Sequence, residues 1–291
     1  MTARPRRTER PRTVIFTDLD GTLLDLRTGS WKPAEPTLRE LQARGVPVVL
    51  CSAKTRAEIL PLREELGIAD PFLVENGGAL YIPKGYFSFA VPHDREFEDW
   101  DVLELGLPYA EIRRRIQTIR RELGIRFSGF GDLSAEEVAG LTGLSREEAE
   151  RAKAREYDET LLLGGLSPGE RDRVLRALER AGLRWTHGGV FYHALGARTD
   201  KGKAVRALID LYRREHGEVF SVGMGDSRND EPLLRAVDLP VLVQKPDGTW
   251  EDLSPSPPRL RRVEGVGPEG WRRAVERLLD QGALEPELEW G

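Results

Sequence analysis

The sequence contains very little cysteine, and this excludes several kinds of site. Cys51 is the single cysteine among 291 residues, so no disulfide can form within the chain. A protein without disulfides is expected in a reducing compartment, and we expect the cytoplasm. The four histidines are not spaced as zinc ligands usually are. We therefore expect no zinc site.

Long hydrophobic runs and an excess of charge of one sign are also missing. No stretch approaches the about 20 apolar residues that a membrane-spanning helix needs, and the basic residues 1–12 lack the apolar segment of a signal peptide. The 44 basic residues are balanced by 49 acidic ones, which gives no general attraction for nucleic acid or anionic membranes. We expect neither kind of partner, and the sequence does not predict an oligomeric state.

Two common nucleotide-binding motifs are absent as well. The sequence has no GKS or GKT segment of the kind that ends a P-loop. Gly223-Met224-Gly225 begins like a dinucleotide-binding loop, but Arg228 stands where that fingerprint requires its third glycine. The sequence therefore predicts neither a P-loop enzyme nor a dinucleotide-dependent one.

Short apolar strands alternate with helices near both ends of the chain. The runs at 14–16 and 46–50 are short and continuous in apolar character, which is typical of parallel strands buried on both faces. A third strand-like run lies at 219–222. Helices are predicted at 37–44, 56–66, 202–214 and 231–237. This alternation indicates an α/β fold built on a parallel sheet.

The middle of the chain has a different pattern. Residues 109–124 place isoleucines on one face of a predicted helix, and Ser-x-x-Glu patterns predict helix starts at Ser134, Ser145 and Ser167. Strand-like segments lie at 125–130, 160–163, 184–186 and 191–195. We therefore expect an α+β domain, residues 86–196, inserted into a catalytic core made of residues 1–85 and 197–291.

Polar side chains follow the predicted parallel strands where each strand ends. Asp18 and Asp20 follow the first strand, Ser52 the second, and Asp226 the strand near residue 222. Ligands of open parallel sheets bind at this edge. Asp18 and Asp226 offer carboxylate oxygens, which are the ligands that Mg²⁺ prefers. The set contains no nitrogen or sulfur ligand of the kind typical of zinc sites. The sequence therefore predicts a magnesium site here.

These residue types suit phosphoryl transfer. Asp18 is placed to attack a phosphate and form an aspartyl-phosphate, and a divalent cation would reduce the repulsion between the two anions. Asp20 would act as general acid and base. Lys201, at the start of a predicted helix, would balance the charge on Asp18, and Ser52 with the amides after it would bind a phosphoryl oxygen.

Four motifs occur in an order that resembles the haloacid dehalogenase superfamily of phosphatases: DLDGT (18–22), Ser52 at the end of VVLCS, Lys201 in DKGKA, and GDSRND (225–230). The resemblance covers the whole chain. It implies a Rossmann-like parallel-sheet core with an inserted α/β cap, and the catalytic roles given above. Its Mg²⁺ site would be formed by Asp18, Asp20, Asp226, Asn229 and Asp230.

Three further segments resemble the mannosyl-3-phosphoglycerate phosphatases within that superfamily: VENGGALYIP (74–83), AREYDE (154–159) and GGVFYHALGARTDKGKAV (188–205). This implies hydrolysis of mannosyl-3-phosphoglycerate to mannosylglycerate, a compatible solute. Arg155 is expected to bind the substrate carboxylate in a bidentate manner. Residues expected at the sugar are Glu75, Asn76, Gly77, Glu156 and Asp158, although Asn76-Gly77-Gly78 is also typical of a tight turn.

Two other functions remain open from the sequence. The first is a phosphatase or phosphomutase for another sugar phosphate, such as a hexose phosphate or glucosyl-3-phosphoglycerate, with the same core. Accumulation of inorganic phosphate separates a phosphatase from a mutase. The second is a non-catalytic sugar-phosphate sensor, which the presence of Asp18, Asp20, Lys201 and Asp226 disfavours.

Overall fold

The chain folds around a nine-stranded sheet and a second sheet of four strands. The computed structural model describes residues 12–188 and 191–280. The sequence predicts mobile ends before Thr13 and after Gln281, and apart from Arg12 these residues lie outside the described ranges. The strands are β1 Arg12–Thr17, β2 Val48–Cys51, β3 Phe72–Val74, β4 Ala79–Pro83, β5 Arg95–Phe97, β6 Trp100–Glu104, β7 Ser128–Gly129, β8 Asp158–Leu162, β9 Leu183–Gly188, β10 Phe191–Gly196, β11 Val219–Gly225, β12 Leu239–Gln244 and β13 Arg261–Val266.

Helices cover both faces of the larger sheet, one face of the smaller sheet and part of its other face. None of the helices in the described ranges is both long enough and apolar enough to cross a membrane. They are α1 Glu35–Ala43, α2 Arg56–Leu66, α3 Tyr109–Leu123, α4 Ala135–Thr142, α5 Arg146–Lys153, α6 Pro168–Arg180, α7 Lys201–His216, α8 Glu231–Leu234 and α9 Pro268–Asp280.

The larger sheet has the order β13-β12-β11-β1-β2-β3-β4-β6-β5. The six strands from β13 to β3 are parallel to their neighbours, and the last three are antiparallel. β1 lies near the middle, between β11 and β2. The carboxyl ends of β1, β2 and β11 therefore lie side by side.

Residues of β1 alternate between two hydrophobic layers. Ile15 packs in the layer that contains side chains of α1, α2 and α9, whereas Val14 and Phe16 pack against side chains of α7 and α8. Successive side chains of a strand point to opposite faces, so a continuous apolar run is required when both faces are covered. The predicted α/β core is confirmed by this arrangement.

The smaller sheet is antiparallel, with the order β7-β8-β10-β9. Its outer face packs against the apolar sides of α3 and α6. The three predicted helix starts are confirmed, since Ser134, Ser145 and Ser167 each accept a hydrogen bond from the backbone N–H three residues later. On the other face, Leu162 and Phe191 pack with side chains of α4 and α5. The insert is therefore an α+β layer in which the rest of that face is left for the core.

One part of the expected insert pairs with the core sheet. β5 and β6 fall within residues 86–196, yet they extend the larger sheet through β4. A short hairpin has the same sequence pattern whether it extends an existing sheet or begins a new one, so the pattern does not fix its partner. We propose that the insert begins after β6, near Gly106, and ends near Gly196.

Candidate active site

Asp18 follows β1 directly and lies at the carboxyl edge of the parallel sheet. Its backbone N–H donates to the carbonyl of Met224 in β11 at 2.9 Å, which fixes the start of the loop. The residue is 5% exposed. Ser52 follows β2 and Asp226 follows β11, so the edge brings these three residues together as the sequence predicts.

Lys201 connects two of the acidic residues. Its Nζ donates to Oδ1 of Asp18 and to Oδ1 of Asp230, both at 2.6 Å. The lysine begins α7, and Oδ1 of Asp200 caps that helix by accepting the N–H of Lys203 at 2.7 Å. A Cβ on Gly77 would lie 2.5 Å from the carbonyl oxygen of Asp200. Gly77 therefore permits the close packing that positions Lys201. The contact that Gly77 makes here is with the protein backbone, whereas the sequence predicts a contact with the sugar.

Asp18, Asp226 and Asp230 form a buried acidic cluster. One carboxylate oxygen from each lies within 4.8 Å of the others. Burial, followed by repulsion from Asp230, raises the pKa of Asp18 well above its ordinary value. The same two causes raise the pKa of Asp226 to about 7. Three carboxylates face one ammonium group here, so the cluster carries more negative charge than the protein neutralises.

The loop after β1 contacts the side chain of Asp226 directly. Thr22 Oγ1 donates to Oδ1 of Asp226 at 3.1 Å. Gly21 has a φ of +86°, and a Cβ there would lie 2.6 Å from Oδ2 of Asp226. Glycine is required both by the left-handed backbone and by this approach. The contact of Thr22 with the acidic cluster was not predicted, although this residue ends the DLDGT motif.

Asp230 and Asn229 support the cluster from a short 3₁₀ helix, Arg228–Asp230. Oδ2 of Asp230 accepts the N–H groups of Asp226 and Ser227, each at 3.2 Å, while its Oδ1 accepts from Lys201. Asn229 accepts a hydrogen bond from the hydroxyl of Ser227. Both oxygens of Asp230 are thus engaged in orienting Lys201 and the loop that carries Asp226.

The side chain of Asp20 has a different partner from the one expected of a metal ligand. Its Oδ2 lies 2.9 Å from Nζ of Lys54, and the carboxylate is 43% exposed. The chain turns after Asp18, and Asp20 forms a single bridge with Leu24, so the two acids do not share one extended strand. Asp20 still lines the same cavity as Asp18. The sequence analysis did not include Lys54 among the site residues. Its position two residues after Ser52 is the feature of the sequence that could have indicated its place in the site.

Ser52 is almost fully buried beside Asp18. Its hydroxyl oxygen accepts the N–H of Lys54 at 3.1 Å. A serine hydroxyl that accepts in this way still has its own hydrogen to donate. Ser52 can therefore donate to an oxygen of a bound phosphoryl group, as predicted from its place after β2.

A cavity of about 320 Å³ lies between the core and the insert. Asp18, Ser52 and Asp226 form its floor on the core side. The insert contributes a wall that combines charged, polar and aromatic side chains, and the lining from this side includes Phe130, Arg155, Thr160, Phe191 and His193. The arrangement places Asp18, Ser52 and Asp226 of the core and this wall of the insert around one cavity.

Arg155 lies in this wall, and part of its guanidinium is already bound. Nη1 donates to the carbonyl of Ala53 at 2.9 Å and also pairs with the carboxylate of Asp158. The other carboxylate oxygen of Asp158 accepts from Nδ2 of Asn76 at 3.1 Å. Asp158 and Asn76 therefore hold Arg155 in place, which is a supporting role that differs from the direct sugar contact expected of them.

Glu75 and Glu156 are placed outside the described lining of the cavity. The carboxylate of Glu75 accepts the backbone N–H groups of residues 156, 157 and 158 at 2.7 to 3.1 Å. Glu156 pairs with Arg56 at 3.1 Å and with Arg95 at 2.8 Å. These contacts attach the insert to the core. The structure thus offers no support for their expected sugar contacts, because both carboxylates are already engaged by protein groups.

Comparison with known proteins identifies relatives of this chain. Residues 15–97 match the family model of haloacid dehalogenase-like hydrolases. A glucosyl-3-phosphoglycerate/mannosyl-3-phosphoglycerate phosphatase from Methanococcoides burtonii is 44% identical over 266 residues, which cover 91% of this chain and 97% of the relative. The chain belongs to this family of phosphatases. A protein of the same name from Persephonella marina is 39% identical and covers 92% of this chain and 97% of that relative.

Solved structures show the same fold. A protein from Thermoplasma acidophilum superposes with a TM-score of 0.66 at 20% identity, covering 92% of this chain and 99% of that one. A haloacid dehalogenase superfamily phosphatase from Bacteroides thetaiotaomicron gives a TM-score of 0.65 at 18% identity, covering 97% and 98%. Membership of the phosphatase family and the predicted core-and-cap fold are therefore confirmed, and the roles of individual residues stay predictions.

Proposed function

We propose that this phosphatase hydrolyses mannosyl-3-phosphoglycerate to mannosylglycerate and phosphate. The observation that carries the proposal is the shared cavity, in which Asp18 and Ser52 face Arg155 from the insert. A phosphate bound at Asp18 leaves the rest of the substrate against that wall. The relatives named for this activity cover most of the chain at 39% and 44% identity.

The core residues support an aspartyl-phosphate mechanism. Asp18 attacks phosphorus, the bond to the leaving oxygen breaks, and an acyl phosphate forms that water then cleaves. Lys201 and Ser52 stabilise charge on the phosphoryl oxygens. Asp20, at the more exposed side of the cavity, donates a proton to the leaving oxygen and then takes one from the water. Lys54 holds the carboxylate of Asp20 for both steps.

The residues of the acidic cluster fit Mg²⁺. They offer carboxylate oxygens alone, and their surplus negative charge is of the kind that a divalent cation neutralises. Asp18 and Asp226 would hold the ion, while Asp230 acts through Lys201 and the loop at 226–227. A bound Mg²⁺ supplies charge stabilisation to the transferring phosphoryl group. The side chain of Asp20, which pairs with Lys54, is left out of this proposed set.

Arg155 is proposed to bind the substrate carboxylate. Its Nη1 is engaged by Ala53 and Asp158, and its Nε donates to the carbonyl of Ala152 at 3.1 Å. Such fixed geometry lowers the entropy lost when a ligand carboxylate binds. A carboxylate next to the phosphate would then distinguish glycerate esters from plain hexose phosphates.

A phosphate-release assay with Mg²⁺ tests the proposed function. The panel is mannosyl-3-phosphoglycerate, glucosyl-3-phosphoglycerate, 3-phosphoglycerate and mannose 6-phosphate. We expect kcat/KM for the mannosyl substrate to exceed that for mannose 6-phosphate by at least about 30-fold, because mannose 6-phosphate lacks the carboxylate that Arg155 is proposed to bind. Equal or better turnover of mannose 6-phosphate would contradict the assignment and leave a sugar phosphatase of another specificity.

The glucosyl substrate is included because the two relatives from Methanococcoides burtonii and Persephonella marina are named for both sugars. Hydrolysis of both glycosides at similar kcat/KM would extend the proposal to this second substrate.

The cytoplasmic location and the lack of nucleic-acid or membrane partners stay predictions from the sequence.

A further inference from the structure

Two polar residues of the insert face the cavity from neighbouring strands. Thr160 in β8 lies directly opposite His193 in β10 in the antiparallel pair. Directly opposite residues point to the same face of a sheet. Both side chains line the cavity above Asp18, whereas Leu161 and Ala194, their neighbours in sequence, point to the other face and pack with α3 and α6.

Neither polar side chain is fully satisfied by the protein. Thr160 is 1% exposed and His193 is 8% exposed. Within the described residues, Oγ1 of Thr160 has no hydrogen-bond partner. A buried hydroxyl without a partner destabilises the folded state relative to an apolar group of the same shape. A bound ligand that supplies the missing partner accounts for a hydroxyl at this position.

The imidazole of His193 lies beside a carboxylate, although its Nδ1 forms no hydrogen bond within the described residues. Its Nδ1 lies 3.2 Å from Oδ2 of Asp158, and the other oxygen of Asp158 is held by Arg155. A carboxylate beside one ring nitrogen favours the tautomer that carries its proton there. Nε2 is then the nitrogen left as acceptor for a hydroxyl group in the cavity.

Aromatic side chains lie next to this polar pair. Phe130 and Phe191 both line the cavity, and their rings meet edge to face with centroids 5.3 Å apart. Apolar surface with a few fixed polar groups is the usual composition of a small-molecule site. A pyranose ring matches it, because it presents C–H groups on its faces and hydroxyls at its edge.

We infer that Thr160 and His193 bind hydroxyls of the hexosyl group of the substrate, with Phe130 and Phe191 packed against the ring. The inference rests on the proposed function and adds residues that decide its specificity. It separates the wall into two parts, since Arg155 serves the carboxylate and the Thr160–His193 pair serves the sugar. Asp158 is a positioning residue for both parts.

Thr160→Val is the sharpest test, because valine has the same shape and no protein hydrogen bond is lost. The variant is assayed on mannosyl-3-phosphoglycerate and on 3-phosphoglycerate, which differ only by the hexosyl group. We expect kcat/KM to fall by about 3- to 10-fold for the glycoside, as for loss of one neutral hydrogen bond. The value for 3-phosphoglycerate should stay within about twofold of the unmodified enzyme, since the ligand lacks the sugar.

Thr13→Val is the matched control. Thr13 is also buried with an unpartnered Oγ1, but it lies near the start of β1, at the end of the strand away from Asp18. The two variants should show unfolding temperatures equal to or above that of the unmodified protein. The control should keep kcat/KM for both substrates. A loss in both variants alike would mean that the effect is structural, and would overturn the inference.

Two substitutions of His193 separate the roles of its nitrogens. Asparagine can place an N–H where Nδ1 faces Asp158, and glutamine can place an amide group where Nε2 lies. We expect His193→Asn to fold and to lose at least about 10-fold in kcat/KM for the glycoside, with 3-phosphoglycerate unaffected. His193→Gln should recover part of that loss.

The outcomes distinguish this inference from the proposed function. If the unmodified enzyme does not hydrolyse mannosyl-3-phosphoglycerate, the proposed function fails and this inference fails with it. If the enzyme does hydrolyse it, but Thr160→Val and His193→Asn change both substrates by the same factor or change neither, the proposed function stands and the inference is overturned.

Discussion

Nζ of Lys201 lies 2.6 Å from Oδ1 of Asp18, although the two residues are 183 positions apart in the chain. The contact joins the start of a helix to the end of the central strand. Burial of both groups makes their attraction stronger than it would be in water. Because the same ammonium also contacts Asp230, Asp18 shares its positive partner, which suits its proposed role as the nucleophile.

Asp18→Asn should abolish phosphate release while the protein stays folded. An amide cannot form an acyl phosphate, and the substitution removes one charge from a cluster in which burial raises the pKa of Asp18. We therefore expect turnover below about 0.01% of the unmodified enzyme and an unchanged or higher unfolding temperature. Asp210→Asn is the control, since Asp210 is a highly exposed residue of α7. Turnover by Asp18→Asn near the normal rate would exclude this nucleophile.

Mg²⁺ should both activate and stabilise the enzyme. Chelation should remove activity, and added Mg²⁺ should restore it because the cluster offers oxygen ligands only. At a concentration of about 100 times Kd the ion should raise the free energy of unfolding by about 2.7 kcal/mol, which thermal denaturation measures. Asp226→Asn should weaken both effects, while Asp210→Asn should keep them. Full turnover in excess chelator would refute the metal assignment.

Arg155→Ala should reduce stability as well as substrate binding. The side chains of Arg155 and Asp158 are 5% and 0% exposed, so removal of the arginine leaves a buried carboxylate with fewer partners. Breaking such a pair costs about 3–5 kcal/mol, which urea denaturation measures. Arg114→Ala, at a surface ion pair with Glu111, should change the free energy of unfolding by less than about 1 kcal/mol.

Asp158→Ala should lower the free energy of unfolding by a similar amount. If the double variant is destabilised by less than the sum of the two single losses, the two residues act as a unit. Additive effects of the two substitutions would contradict the coupling. Activity of these variants on mannosyl-3-phosphoglycerate is best compared at a temperature where each remains folded.

Glu75 should give the stability a pH dependence of known sign. Burial, then repulsion by Asp158, raises the pKa of Glu75 from 4.5 to about 8. Between these values the folded protein holds a proton that the unfolded chain releases. The contribution of Glu75 is therefore fully present below pH 4.5 and is lost as the pH rises through about 8.

The free energy of unfolding should accordingly fall across this range, and Glu75→Gln should reduce the fall. Urea denaturation at several pH values measures the slope in both proteins. Glu96→Gln, at an exposed carboxylate, is the control and should leave the slope unchanged. An identical slope in the unmodified protein and in Glu75→Gln would contradict the raised pKa.

Much of the core site could be predicted from the sequence, for a geometrical reason. The carboxyl ends of parallel strands meet at one edge, so Asp18, Ser52 and Asp226 had to lie near one another once the strands were recognised. Lys201 was found through a motif and not through geometry. Thr22 was missed because a threonine after a glycine turn has many ordinary uses.

The insert was harder to predict, because its side chains act through partners in other segments. Glu75 and Glu156 were expected at the sugar since both are polar and lie in recognised motifs. The structure places them at the joint between core and insert, where backbone N–H groups and arginines bind them. No spacing in the sequence distinguishes a carboxylate that binds a sugar from one that accepts backbone hydrogen bonds.

The sequence by itself determined the α/β core, the inserted layer and the acidic edge, because hydrophobic periodicity and strand ends are local properties. Tertiary structure alone decided that Lys54 pairs with Asp20, and that Thr160 and His193 face the cavity beside Arg155. These relationships depend on how the insert packs over the core. That packing is set by distances between segments far apart in the chain, which no local pattern records.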